Sequence, residues 1–189
     1  EVSKVVQQNT RYYMPIFSRI KGEKRSKFNF SAFLFSGGWL LYRKQYKLGI
    51  IYTILMFALY LGQTFTSLFL SYPRMMEILK QAGVQVDAAT ISYEQISTIA
   101  LHSTPMDTLI IALPALMMLG MLIIMLILGF CGNRMYMKHC IKTINATRST
   151  TQNSEDYNTR LVEKGGINTS VTLCLLICYF LCTYLPLLL

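Results

Sequence analysis

Charge is absent from three long stretches of this chain: residues 48–70, 108–130 and 170–189 hold no Asp, Glu, Lys, Arg or His. A soluble globular fold does not carry uncharged runs of that length. Acidic residues are also scarce, nine against eighteen basic ones, and there are two histidines. No Ser, His and acidic residues stand in a nucleophile motif. No carboxylate or imidazole lies inside the uncharged runs, so a proton relay through them has no parts. Five cysteines include no CxxC pair, which removes a zinc knuckle. The first 27 residues are polar and basic, unlike a cleavable secretory signal. These absences predict a non-enzyme with no catalytic residue, no cofactor and no resident metal.

What is present is membrane chemistry. At ~1.5 Å per residue each uncharged run spans ~30–35 Å as a helix, enough for a ~30 Å hydrocarbon core. Hydrophobic residues make up 53% of the chain, and charged ones only 14%. Residues 1–47 and 131–169 together hold 16 basic and 5 acidic residues, or +11. Residues 71–107 hold 2 basic and 4 acidic residues, or −2. Lys and Arg accumulate on the cytoplasmic side. The N-terminus and 131–169 are therefore expected inside, 71–107 outside, and the C-terminus outside. The basic excess is then a topology signal and an attraction to anionic lipid, and no nucleic-acid motif accompanies it. His102 and His139 fall on opposite sides.

The expected fold is an all-α membrane protein of three transmembrane helices plus one short re-entrant or interfacial helix. A basic cytoplasmic segment, 1–29, precedes a membrane domain, 30–189. Within that domain lie the re-entrant piece 30–42, the three spans, an external loop 71–107 and a cytoplasmic loop 131–169.

Local signals refine this plan. In the first span Gln63, Thr64 and Ser67 are expected to turn toward other helices, because lipid cannot satisfy them. Pro73 opens a short helix over 74–81, and an amphipathic one follows over 92–101, with Gly83 and Asp87 at the turn between. Thr104, Pro105 and Asp107 form a capping box at the second span. Pro114 is expected to kink that span. Residues 145–158, rich in Thr, Ser and Asn, read as mobile, and Gly165-Gly166 as a joint before the third span, capped by Asn168 or Thr169. Asn29, Asn145 and Asn168 begin glycosylation sequons that would all face the cytoplasm, so they read as chance matches.

Cys174, Cys178 and Cys182 share one face of the third span, as do Met117, Met121 and Met125 on the second. Small polarizable packing residues explain both stripes. The second reading is a soft-metal site at Cys174, Cys178 and Cys182, for a cation such as Cu(I).

Residues 28–47 are the most distinctive segment. The apolar run Phe30–Tyr42 is too short to cross, and basic residues flank it on both sides: Lys27, then Arg43, Lys44 and Lys47. A helix that enters one leaflet satisfies both facts. Trp39, Tyr42 and Tyr46 are expected at the headgroup level, with Arg43 and Lys44, as membrane anchors.

The run Phe30-Ser31-Ala32-Phe33-Leu34-Phe35, with Trp39-Leu40-Leu41-Tyr42-Arg43-Lys44-Gln45-Tyr46, resembles the signature of a bacterial inner-membrane domain family of unknown function. Members typically read A-F-F-F-G-x-x-W-x-L-Y-R-K-M-Y. Tyr12-Tyr13-Met14-Pro15-x-Phe17, Gly132-Asn133-Arg134-Met135-Tyr136-x-Lys138-His139 and Glu163-Lys164-Gly165-Gly166 are similar to other pieces of it. The chain departs at Ser36, where Gly is usual, and at Gln45, where Met is common. In Gram-positive members a short zinc ribbon often comes first; these residues contain none. The resemblance implies a multi-pass protein of the bacterial cytoplasmic membrane and no established activity.

Two functions remain. The first is a non-enzymatic membrane interaction or accessory protein, whose partners are anionic lipids and another membrane protein or a second copy, with no nucleic acid. The alternative is a component of a small-solute or ion transport system, resting on the re-entrant piece and Pro114.

Overall fold

The structure is a computed structural model that describes residues 1–84, 92–151 and 153–184, with side chains through Leu181. The described residues are helical and contain no strand. The helices are α1 (Val2–Val6), α2 (Thr10–Glu23), α3 (Phe30–Tyr42), α4 (Tyr46–Phe65), α5 (Tyr72–Gln81), α6 (Tyr93–His102), α7 (Pro105–Thr150), α8 (Ser154–Lys164) and α9 (Thr169–Tyr184). Three stretches are long and apolar enough to cross a membrane: Tyr46–Gln81, Pro105–Thr150 and Ser154–Leu181. The third includes a break between α8 and α9, and α9 is its apolar part. The end of the expected third span lies outside the described residues.

The chain forms two compact units, residues 1–54 with 124–189, and residues 55–123. The N-terminal segment shares a core with α3 and α7 because α2 is amphipathic: Tyr13, Ile16, Phe17 and Ile20 recur every three or four residues and are all buried.

In the first unit those residues meet Ala32, Trp39 and Leu40 of α3, Leu128, Tyr136, Cys140 and Ile144 of α7, Leu161 of α8, and Val5 and Val6 of α1. Tyr136, Cys140, Ile144 and Thr147 form a buried stripe at helical spacing. That stripe explains why α7 continues to Thr150, where the sequence reading expected a loop from 131 and a mobile segment from 145. The hydroxyl of Thr147 returns to the Thr143 carbonyl (2.8 Å) and that of Thr150 to Ala146 (3.0 Å). Threonine therefore lies within the helix without exposing an unsatisfied donor. At 46 residues α7 is about 69 Å long, twice what a bilayer core needs.

α3 has the bounds expected for the short apolar helix, yet it is two pieces. Ser36 stands at φ 43°, ψ −119° and breaks the helix one residue before Gly37-Gly38. Only glycine adopts that backbone without strain. Ser36 is the position at which the chain departs from the resembled motif, and glycine there would relieve the strain. α3 then turns through residues 43–45 and crosses α4 at close range. A Cβ on Gly37 would stand 2.6 Å from the Thr53 nitrogen, and one on Gly49 2.9 Å from the Leu41 nitrogen. Small residues at both contacts let the two backbones approach.

The second unit is a hairpin of short helices on a smaller core: Ile78, Leu79 and Ile99, with Met75, Met76, Val84 and Ile111 against them. α4 runs into α5 through a π-helical turn, Thr66–Ser71. Pro73 lacks an N–H and its ring crowds the preceding turn, and the widened turn accommodates both. The buried Thr66 hydroxyl donates to the Gly62 (2.8 Å) and Gln63 (3.1 Å) carbonyls. Gln63 and Ser67 are half-buried, whereas Thr64 is exposed. Gly83 makes the expected turn at φ 72°; Asp87 lies outside the described residues. Ser92 and Gln95 cap α6 reciprocally. The box expected before the second span is present: the Thr104 N–H (3.0 Å) and hydroxyl (2.8 Å) donate to Asp107, whose own N–H donates back to the Thr104 hydroxyl (3.3 Å). Arg74 also binds Asp107, at 2.6 Å. Pro114 lies inside α7 without ending it.

Candidate functional site: an arginine in a tyrosine cage

The residues after α3 hold the most unusual chemistry of the first unit. Arg43 is 2% exposed. Its guanidinium carbon lies 4.6 Å from the centre of the Tyr13 ring, 5.1 Å from Tyr136 and 5.6 Å from Tyr42. Its Nη1 donates to the Gln8 carbonyl (3.3 Å) and the Tyr136 hydroxyl (3.5 Å). Among the described residues no carboxylate comes within ion-pair distance of it. A buried cation without a counterion is costly, and stacked aromatic faces offset that cost. Arginine suits this place better than lysine, because its flat, weakly hydrated head stacks on rings. The Arg43 Nε and both side-chain polar atoms of Gln45 are buried without a hydrogen-bond partner. Burial raises the pKa of Tyr13, and Arg43, which favours the phenolate, opposes that shift. Tyr13 therefore stays neutral at physiological pH and presents a ring face to the cation.

Lys44 extends the joint. Its backbone is left-handed, φ 58°, and its ammonium donates to the Glu163 (2.9 Å) and Gly165 (2.5 Å) carbonyls. These are carbonyls at the C-terminal end of α8, where a cation meets the negative end of the helix dipole. Gly165 and Gly166 are required there. A Cβ on Gly165 would stand 2.6 Å from the Val5 carbonyl, and Gly166, at φ 79°, donates its N–H to that carbonyl (2.8 Å). Asn168 then caps α9 by accepting from the Val171 N–H (3.2 Å) and donates to the Tyr46 hydroxyl (2.8 Å).

A second polar lock sits one layer away. Asn29 caps α3 by accepting from the Ala32 N–H (3.0 Å), and its amide donates to Asn133 (2.8 Å). Asn133 in turn donates to the Lys27 carbonyl (2.8 Å), and the Asn29 N–H donates to the Gly129 carbonyl (2.8 Å). Both side chains are fully or nearly fully buried. Gly129 and Gly132 admit this approach: a Cβ on Gly132 would stand 2.9 Å from that of Ala32.

The four segments that carry the family resemblance therefore converge. Tyr13 comes from the first, Trp39 and Arg43 to Tyr46 from the second, Asn133 and Tyr136 from the third, and Glu163 to Gly166 from the fourth. The model of a family described as protein of unknown function (DUF2628) matches residues 4–141. The chain belongs to this family. No curated protein and no solved structure matches it. In this DUF2628 member the first three converging segments lie inside the matched range and the fourth lies beyond it.

The residues expected to anchor the chain differ in burial. Trp39 stands in the core, 4% exposed and edge-on to Tyr136, because the apolar stripe of α3 faces α7. Arg43 turns inward beside it. Tyr42 and Lys44 are half-buried and tie other segments, while Tyr46 is exposed. The exposed apolar area on α3 comes from Phe30, Leu34 and Phe35. Cys174 and Cys178 are exposed on α9, and the Cys182 side chain lies outside the described residues. Among the described residues no group of three His, Cys, Asp or Glu is placed to hold a metal ion. The sequence marks Asn29 only as a sequon and Tyr13, Asn133 and Tyr136 only within the resembled motifs, with no role assigned to any of them. The usable signal for Asn29 was an N-cap residue directly before an apolar run.

Proposed function

We propose that this DUF2628 protein is a non-enzymatic accessory protein of the bacterial cytoplasmic membrane. It would cross the bilayer three times, with its N-terminus inside and its C-terminus outside, and α3 would enter the inner leaflet without crossing. The observation that carries the reading is where the chemically capable side chains go. Arg43, Tyr13, Tyr136, Asn29 and Asn133 bond to one another and to backbone, so they build a rigid platform from segments distant in sequence. The charge asymmetry of +11 against −2 supports the orientation. Both ends of α3 meet basic residues, which supports a helix that begins and ends on one side. The partners in this reading are anionic lipids and another membrane protein or a second copy, and no nucleic acid.

Crosslinking in intact membranes, followed by identification of the captured proteins, tests the role. A stable partner supports it. Solute flux by purified protein in vesicles would favour the alternative, a component of a small-solute or ion transport system. For orientation, cysteines placed at Gln81 and Ser149 in a cysteine-free background should label from opposite sides with an impermeant reagent. Labelling of position 149 from outside would refute the stated topology.

A further inference from the structure

We infer that the segment joining α2 to α3 is a binding site for the headgroup of an anionic phospholipid, built from Lys24, Arg25, Lys27 and Arg134. The inference rests on the reading above, in which α3 enters a leaflet.

Height along α7 comes first. Phe130 ends the uncharged run, and Arg134, about 6 Å further along the helix, is the first charge beyond it. That interval is where hydrocarbon gives way to headgroups. Three hydrogen bonds fasten the joining segment to this stretch of α7. The Asn29 N–H donates to the Gly129 carbonyl (2.8 Å), Asn133 Nδ2 to the Lys27 carbonyl (2.8 Å), and Arg134 Nη2 to the Lys24 carbonyl (2.7 Å). Lys24 holds a left-handed backbone, φ 56°, that ends α2 and turns the chain into this position. The segment is therefore pinned at the boundary by its backbone, which leaves the side chains of Lys24, Arg25 and Lys27 exposed.

Charge comes second. Lys24, Arg25, Lys27 and Arg134 are all exposed, and none is in an ion pair among the described residues. Glu23 is the neighbouring acidic residue in sequence and is not paired with them. Four positive side chains around one short segment suit a phosphate, which arginine binds through two parallel N–H groups and lysine as a point charge.

Apolar surface comes third. Phe30 and Phe130 are each 63% exposed, Phe35 56% and Leu34 48%. Phe28 packs edge-on to Phe130 at 5.0 Å, so aromatic surface begins directly beside the basic group. An acidic protein segment would match the charge and leave these rings in water. A lipid supplies a phosphate for the basic residues and acyl chains for the rings.

The test uses the full chain in phosphatidylcholine nanodiscs doped with phosphatidylglycerol, with retained lipids counted by native mass spectrometry. The wild-type protein should keep phosphatidylglycerol in preference to phosphatidylcholine. A Lys24→Gln, Arg25→Gln, Lys27→Gln variant should lose that preference by tenfold or more, because each basic residue near an anionic surface contributes about fivefold. An Arg11→Gln, Arg19→Gln variant, altered on the exposed side of α2, should keep it. If the triple variant does not fold, Lys27→Gln alone should lower the preference about fivefold. Equal retention by wild-type and triple variant would overturn the site and leave an acidic protein segment as the occupant. Equal loss in the α2 variant would overturn it in favour of diffuse attraction. Both leaflets of a nanodisc are open to the protein, so this outcome is independent of which side the segment faces in the cell.

Discussion

The two units are held together by different means. The first joins residues more than a hundred positions apart, Asn29 to Asn133 and Lys44 to Gly165, and buries an uncompensated arginine among tyrosines. The second closes contacts over shorter separations: Ser71 donates to the Ile111 carbonyl 40 positions on, Arg74 pairs with Asp107 33 positions on, and Thr104 caps its own helix. Its core of three buried residues is small. Ordering distant segments costs more loop-closure entropy, so the first unit needs a larger, aromatic core to offset it. The second has few buried apolar contacts and exposed neighbours such as Tyr93 and Leu101, the marks of a region that opens locally. One chain thus contains a packed, aromatic joint and a shallow helical hairpin.

The largest effect expected is from Tyr136→Ala. Tyr136 is 1% exposed and touches Tyr13, Phe17, Trp39 and Arg43. Truncating a buried aromatic costs about 3–5 kcal/mol, so the midpoint of denaturant unfolding in detergent should fall steeply. Tyr93→Ala, at an 87% exposed position of the second unit, should shift it by less than about 0.5 kcal/mol. Similar shifts in the two variants would erase the contrast between the units.

Next in size are Asn29→Ala and Asn133→Ala. Each leaves a buried amide partner unsatisfied, at about 1–3 kcal/mol. Because each mutation breaks the same bond, the double variant should cost less than the sum of the two. Additive costs would mean the pair is not a unit. Ser36→Gly should act in the opposite direction and raise stability by about 1 kcal/mol, since it removes left-handed strain at a serine. A loss of stability there would contradict the backbone described for α3.

Asp107→Asn should be quieter. It weakens the bond to Arg74, and amide exchange should quicken over α5, α6 and the start of α7 while the first unit keeps its protection. Smallest is the alkaline response of Tyr13. Its pKa is raised in the folded state, so its contribution is fully present below the ordinary tyrosine value of about 10. That contribution is lost as pH rises through the higher folded value. In an ultraviolet absorbance titration, Tyr13→Phe should remove one late-titrating tyrosine and soften the alkaline loss of stability.

The parts of the fold legible in sequence are those set by local rules. Uncharged length marked the three long apolar helices, the basic flanks bounded Phe30–Tyr42, and Thr104 with Asp107 marked the start of α7. The continuation of α7 past Phe130 was hidden by composition. Thr and Asn suggest a loose segment, and only a core to bury Tyr136, Cys140 and Ile144 makes it helical. The cage was hidden for a related reason. Charge counting assigns Arg43 to a surface, and its burial depends on rings at positions 13 and 136 that no local pattern joins. Ser36 shows the intermediate case: its departure from the resembled motif was visible, and its strain required the backbone angle.

The central claim is that Arg43 is bound by aromatic faces in place of a carboxylate. A double-mutant cycle with Arg43→Met and Tyr13→Leu tests it most directly, read from unfolding midpoints of the four proteins. Met keeps an apolar stem and Leu keeps an apolar body, so the cycle isolates the cation and the ring. The account predicts a favourable coupling of about 1–2 kcal/mol, the range for a desolvated cation–ring pair. A coupling indistinguishable from zero would contradict it.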